Sequence, residues 1–181
     1  TFESNPLIEQ AYNETMQMEE CKREVKSPKF TYQAEKLKET LFTRRSQRGF
    51  EEGAITKGQF NYIMDAIHQP ILSDCDEDVS VYVVINRVLD MPLGLYKEGT
   101  YMKYGDFGRK AGYLSLEQYS LSMQGAVAFF LTSKAKNYQA LYQKAGIIGH
   151  RLYVASLYLG IGCSGIGAYY DDEVNEFVEN D

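Results

Sequence analysis

The 181-residue sequence has no tryptophan, only two histidines, and three cysteines that lie far apart. An odd number of widely spaced cysteines (Cys21, Cys75 and Cys163) does not fit a disulfide framework. His68 and His150 are the only imidazoles, and no two cysteines have zinc-ligand spacing, so a zinc site is not expected either. We therefore expect three reduced thiols and no bound metal.

Basic residues are also scarce, since 19 lysines and arginines stand against 25 acids and the formal net charge is −6. Nucleic acids and anionic membranes bind through phosphates that need a basic excess, so neither is an expected partner. No apolar run approaches the roughly 20 residues of a membrane-spanning helix. Residues 1–10 lack the basic-then-apolar order of a signal peptide, which predicts a cytoplasmic protein.

What the sequence does contain is enough apolar material for one core, with 44% hydrophobic residues, 15 tyrosines and nine phenylalanines. Aromatic side chains serve cores, subunit interfaces and flat-ligand pockets alike, so their number does not choose among these. We divide the chain into an N-terminal helical arm, residues 1–32, and one domain, residues 33–181.

Helical periodicity marks residues 6–25, residues 33–43 and the long stretch from residue 138 to residue 159. Thr56 and Gln59 form a capping-box pattern that predicts a helix ending near His68. The long stretch has apolar residues on more than one face, so we expect it to be buried, centrally or at a subunit interface. Gly160 follows it as a C-terminal glycine.

Strand patterns cover residues 79–86 and 126–132, and a hairpin joins residues 93–96 to residues 101–104. Ser115 and Gln118 indicate a further helix start. Helices and strands alternate irregularly, which favours an α+β fold over a doubly wound parallel sheet.

The first segment with chemical potential is the arginine turn, residues 44–48 (RRSQR), at the end of a predicted helix. Three guanidinium groups and a serine hydroxyl match the geometry of a phosphate group. The alternative is a solvated basic turn, which composition alone favours.

The second is the glycine segment, residues 160–168, with four glycines in its first eight residues. Glycines allow positive φ and let the backbone approach a flat ligand. The segment follows a helix rather than a first strand, so it is not a dinucleotide-binding fingerprint. A helix C-cap with a tight turn is the simpler interpretation.

The order of these segments resembles the nitroreductase superfamily, with an RRSxR motif, an apolar helix ending in Leu-Gly, and a glycine-rich segment leading to Asp-Asp-Glu-Val. Within this superfamily, the sequence is similar to the branch of SagB-type azoline dehydrogenases in three stretches: Gly94-Leu95-Tyr96, the AGxxxHRLY run of residues 145–153, and GCSGIGAYYDDEV at residues 162–174. The resemblance covers residues 41–178.

The resemblance implies a three-layer fold, mainly an antiparallel sheet flanked by helices, in a homodimer with FMN at its interface. Arg44 and Ser46 would bind the phosphate, Arg45 would lie nearby, and Arg48 would approach the polar edge of the flavin. The residues that would line the ring and offer backbone N–H groups near its N5 and O4 atoms are Gly165, Ile166, Gly167 and Ala168. The arginine turn and the glycine segment would then converge across two subunits.

The implied activity is hydride transfer from NAD(P)H through FMN to a nitroaromatic, quinone or similar small acceptor. No dedicated catalytic side chain is expected, and His150 is interpreted as a packed or interface histidine. Tyr153 is likewise interpreted as a core or interface residue. The alternatives are a SagB-type dehydrogenase that oxidises azolines to azoles in peptides, and a non-catalytic module that keeps the fold for flavin binding or dimerisation.

Two features depart from the family pattern. No lysine or arginine follows Arg151, where family members have a further strand with a basic phosphate contact, so either the chain is shortened or FMN affinity is reduced. Azoline oxidases also use a Lys-Tyr pair near the flavin. Neither Lys103-Tyr104 nor Lys136 with Tyr138 is expected to take that role.

Overall fold

The computed structural model describes residues 5–15, 30–71, 79–134 and 137–179, so Cys21, Cys75 and Lys136 lie outside the described residues. The elements in chain order are α1 (Pro6–Thr15), α2 (Ala34–Thr43), α3 (Lys57–Ile67), β1 (Ser80–Ile85), β2 (Gly94–Lys97), β3 (Thr100–Tyr104), α4 (Gly108–Leu114), α5 (Tyr119–Ser122), β4 (Val127–Thr132), α6 (Tyr138–Tyr158) and α7 (Asp171–Glu179). None of these helices is long and apolar enough to cross a membrane.

The four strands form one antiparallel sheet in the order β3-β2-β1-β4. β1 lies inside the sheet, and its residues 81–85 are buried, as a strand covered on both faces requires. Side chains alternate between the two faces of a strand, so β1 contributes to two separate cores.

Helices cover both faces of the sheet. On one face Val81, Val83 and Ile85 pack with side chains of α3 and α6, including Phe60 and Leu152. On the other face Tyr82 and Val84 of β1 pack with side chains of α4 and α7. The arrangement is α+β with three layers, as expected.

Several local predictions are confirmed. Thr56 accepts from the Gln59 N–H while the Gln59 side chain accepts from the Thr56 N–H, so the capping box begins α3 as predicted. The predicted hairpin is β2-β3, with Lys97 paired to Thr100 across the turn. α6 ends one residue before the predicted end, and Gly160 has a φ of 75°.

Other predictions need correction. Ser115 is the C-cap of α4, a helix that the periodicity did not indicate, and the short α5 begins only at Tyr119. The helix ends after Ser115 because Leu116 and Glu117 have φ of 51° and 60°, outside the right-handed helical region. Of the predicted helix over residues 6–25, α1 confirms Pro6–Thr15, and residues 16–25 lie outside the described residues.

The long helix α6 is only partly buried within the chain. Ile148, Leu152 and Ala155 belong to the core, whereas Tyr142 and His150 are exposed. Of the two predicted alternatives, central burial is wrong for the outward side of α6, and burial at a subunit interface stays a prediction.

Candidate functional site

The arginine turn begins where α2 ends. Arg44 is the C-cap residue, and its ψ of 126° turns the chain away from the helix. Arg44 is half-buried, while Arg45, Ser46 and Arg48 are exposed. Guanidinium groups are stabilised at this position because the C-terminal end of a helix carries partial negative charge. No ion pair joins these arginines to another described residue.

The glycine segment follows α6 directly, and residues 161–170 have no regular secondary structure. Within the segment, Gly160 is the one glycine with a positive φ, so conformational freedom does not explain the other three. Gly162 has a steric reason instead. A Cβ atom there would lie 2.9 Å from Gln47 Cγ and 3.2 Å from Phe50 Cε1.

The arginine turn and the glycine segment are in direct contact. The Gln47 N–H donates to the carbonyl of Cys163 at 3.1 Å, next to the close approach at Gly162. Both segments belong to the same chain, so they already meet within one subunit. The physical reason is α6, which brings the glycine segment back alongside the end of α2.

Tyr153 of α6 forms the second connection between these segments. Its hydroxyl lies 2.9 Å from Ser46 Oγ and accepts a hydrogen bond from the Gly165 N–H. The Arg44 guanidinium carbon lies 5.0 Å from the centroid of the same ring, in cation–π geometry. Tyr153 therefore contacts both residues predicted to bind phosphate, Arg44 and Ser46.

A cavity of about 730 Å³ lies beside this junction. Its wall combines residues of the arginine turn, β4, α6 and the glycine segment, among them Phe50, Phe129, Gly149, Tyr153 and Ile166. No atom lies within 4 Å of the Cβ position of Gly149, so the helix leaves open space on the cavity side. The volume falls in the range of about 300–1,000 Å³ that small-molecule pockets occupy.

The polar groups in the wall show no activated nucleophile. Burial raises the pKa of Cys163 to about 11, and hydrogen bonds from Ser156 and Ser164 together with nearby Arg44 offset this only in part. The thiol is protonated at neutral pH and is a poor nucleophile. Ser122 donates to Ser115 at 3.1 Å, and Ser115 donates to a backbone carbonyl, so both hydroxyls are satisfied internally.

The predicted site residues occupy different positions relative to the cavity. Ile166 and Gly165 line it, whereas Gly167 and Ala168 are exposed and lie outside its wall. Arg44, Arg45, Ser46 and Arg48 also lie outside the wall, but their neighbours Gln47 and Gly49 form part of it. The Gly165 N–H is already used by Tyr153, which conflicts with its expected role toward a ring.

Sequence reasoning missed Tyr153, which it interpreted as a core or interface residue, and the contributions of Phe50 and β4. A usable signal was the helical spacing of Gly149, Tyr153 and Ser156, which places them near one side of α6. His150 is exposed within the chain rather than packed. Lys103 and Tyr104 lie on β3, at the sheet edge opposite β4.

The fold is nitroreductase-like. It is similar to a solved structure from Anabaena variabilis that is described provisionally as a nitroreductase, with a TM-score of 0.70 and 26% sequence identity. The similarity covers 80% of this chain and 35% of that one, so the chain spans about a third of the length of this neighbour. The sequence matches no protein-family model and no curated protein.

Proposed function

We propose that the protein is an FMN-dependent oxidoreductase that takes hydride from NAD(P)H and reduces a small acceptor such as a nitroaromatic or a quinone. The observation that carries the proposal is the contact between an arginine-serine turn and a glycine segment beside a cavity of about 730 Å³. The nitroreductase-like fold supports the same class of activity.

The residues present fit a phosphorylated flavin. Arg44, Arg45 and Ser46 supply guanidinium and hydroxyl donors for a phosphate, and Arg48 supplies positive charge for the polar edge of the ring. Of the glycine-segment residues proposed to line the ring, Gly165 and Ile166 lie in the cavity wall, and Gly167 and Ala168 follow them directly in the chain. Bound FMN would supply the redox chemistry, accepting hydride at N5 and passing it on.

The protein side of the reaction is binding and positioning. The wall residues Phe50, Phe129 and Ile166 give a flat ligand an apolar surface, and Gly149 leaves room beside α6. Arg48 would favour the anionic reduced ring by its charge. Such a site needs no nucleophile, in agreement with the raised pKa of Cys163 and the satisfied serines.

We further propose that two copies of the chain assemble as a homodimer in the cytoplasm. Apolar side chains are exposed on α1, including Leu7, Ile8 and Tyr12, and on the outward side of α6, including Tyr142 and Ile147. Water-exposed apolar patches of this kind mark interaction surfaces. A second copy seated on α6 would cover the side of the helix next to the cavity.

The test of FMN binding is the double variant Arg44→Ala/Ser46→Ala. Affinity for FMN should fall at least about tenfold, because hydrogen bonds to charged groups contribute about 1.5–3 kcal/mol each. The measurement is quenching of flavin fluorescence on titration with protein.

The matched control is Arg109→Ala, which removes an exposed arginine from α4 on the other face of the sheet and should leave the affinity unchanged. Wild-type protein should also be yellow, and NADH or NADPH should bleach the flavin band without oxygen. Protein that binds no FMN, or a double variant with wild-type affinity, would contradict the proposal.

No observation favours the azoline dehydrogenase alternative. Lys103-Tyr104 matches the Lys-Tyr pair of such enzymes only in residue type, and these two residues lie on the far edge of the sheet. The non-catalytic alternative is separated by the bleaching experiment, because it allows FMN binding but no bleaching by either nicotinamide.

A further inference from the structure

The Tyr153 hydroxyl links Ser46 to Gly165. The Gly165 N–H can only donate, so the phenol oxygen accepts from it. Ser46 Oγ lies 2.9 Å from the same oxygen, and either hydroxyl can donate in this contact. When Ser46 donates to a third group, the phenol can therefore donate to Ser46 Oγ in turn.

The third group must accept from this exposed hydroxyl. It must also suit the positive charge of half-buried Arg44, whose guanidinium carbon lies 5.0 Å from the centroid of the same Tyr153 ring. A phosphate oxygen meets both conditions, since it accepts from hydroxyl and guanidinium donors and balances the charge. A cation or an apolar group would meet neither.

The same chain of bonds extends to the backbone beside the cavity. Bonds in such a chain polarise one another, so a stronger bond at one end strengthens the next. Gly165 fits closely against the phenol, because a Cβ atom there would lie 3.3 Å from the Tyr153 hydroxyl oxygen. A change at Ser46 therefore has a direct path to Gly165.

We infer that Tyr153 is a positioning residue that orients Ser46 as a donor to a phosphate and couples phosphate binding to the backbone at Gly165. The inference rests on the proposed function and deepens it, because it names the phosphate group as the part of the ligand whose binding affects the backbone of the glycine segment. Tyr153 acts through Ser46 and Gly165, without itself reacting.

The first experiment uses inorganic phosphate as the probe and follows the amide resonance of Gly165 by NMR in the full chain. In wild-type protein, phosphate should shift this resonance in a saturable way. In Tyr153→Phe the shift should disappear, and phosphate affinity should fall about fivefold, as expected for one lost neutral hydrogen bond. Tyr104→Phe, an exposed tyrosine of β3, is the matched control and should behave as wild type.

The second experiment compares FMN with riboflavin, which lacks the phosphate. Tyr153→Phe should weaken FMN binding about fivefold and riboflavin binding much less. In a Ser46→Ala background, the same change should have no further effect on the FMN-to-riboflavin ratio. A purely structural role of Tyr153 would weaken both ligands equally in both backgrounds.

The outcomes separate this inference from the flavin proposal. If phosphate shifts Gly165 through Tyr153 while FMN does not bind, the coupling stands and the flavin assignment fails. If FMN binds but the Gly165 resonance responds equally in wild type and Tyr153→Phe, the coupling is wrong. If phosphate produces no saturable shift in wild type, the inference is overturned.

Circular dichroism of Tyr153→Phe checks its fold. If this variant is misfolded, the Ser46→Ala variant is titrated with phosphate instead, and its Gly165 shift must also vanish.

Discussion

At the scale of single residues, His68 and Glu98 join three elements of the fold. His68 caps the end of α3, and its Nε2 lies 2.6 Å from a carboxylate oxygen of Glu98 in the β2-β3 turn. The other carboxylate oxygen accepts from the Val81 N–H at the start of β1 at 2.6 Å. Glu98 has a φ of 49°, an unusual conformation for this residue type. The pair explains why a glutamate occupies a turn position that glycine or asparagine would fill more easily.

The pair predicts a specific dependence of stability on pH. The hydrogen bond that His68 donates to Glu98 raises the pKa of His68, against burial, and the carboxylate charge raises it further. Burial raises the pKa of Glu98, but hydrogen bonds from His68 and Val81 outweigh it, so that pKa is lowered. The His68 contribution is complete below its ordinary pKa of 6.5 and is lost as pH rises through the raised value. The Glu98 contribution is present above 4.5 and is lost as pH falls through the lowered value.

We expect the free energy of unfolding of the wild type to drop by up to about 1 kcal/mol more than that of His68→Gln between about pH 6 and about pH 9. Urea denaturation at the two pH values measures this difference. Asp65→Asn is the control, because Asp65 raises the His68 pKa only through its charge and should retain most of the wild-type slope. Identical slopes for wild type and His68→Gln would show that the pair contributes nothing.

At the scale of elements, the contact between the arginine turn and the glycine segment depends on the absence of a side chain at Gly162. Gly162→Ala would place a Cβ atom 2.9 Å from Gln47 and 3.2 Å from Phe50, so the two segments must separate. Overpacking of this kind costs about 1–3 kcal/mol. We expect that loss in unfolding free energy, together with weaker FMN binding, measured by denaturation and by flavin titration.

Gly167→Ala is the matched control for stability, since no atom lies within 4 Å of its Cβ position and its φ is not positive. It should change the free energy of unfolding by less than about 0.5 kcal/mol. A Gly162→Ala variant as stable as Gly167→Ala would mean that the two segments accommodate the methyl group, and that their contact is loose.

At the scale of the whole molecule, the proposed homodimer places a second copy against the outward side of α6. Tyr142 is 75% exposed there and lies near Tyr169 in the cavity wall, whose pKa is raised by burial and further by Asp171 and Tyr142. Tyr142→Glu should therefore weaken the dimer at least about tenfold, because buried aromatic anchors carry much of an interface's energy. Light scattering with size-exclusion chromatography gives the mass.

Tyr104→Glu introduces the same charge at a tyrosine that is 74% exposed, on the far edge of the sheet, and should remain dimeric. A wild-type protein that is monomeric at all concentrations would contradict the dimer. A dimer that both variants disrupt equally, or that neither disrupts, would place the interface away from α6.

The sequence alone determined most of the local structure. Three features depend only on interactions over a few residues, so the amino-acid sequence predicts them. They are the capping box at Thr56, the β2-β3 hairpin and the end of α6 at Gly160. It also showed the arginine turn and the glycine segment as separate motifs, because their composition is local. The family resemblance added the expectation that they would meet.

Only the tertiary structure decided how they meet. Ser46 and Tyr153 are 107 residues apart, and no periodicity reports a bond over that separation. Arg151 likewise donates to the carbonyl of Ile67 at the end of α3 and to that of Pro70, which follows α3, at 2.9 Å, although the sequence marked Arg151 only as the last basic residue. Such contacts depend on how the layers pack, which is why the partners of the Tyr153 hydroxyl are visible only in the fold.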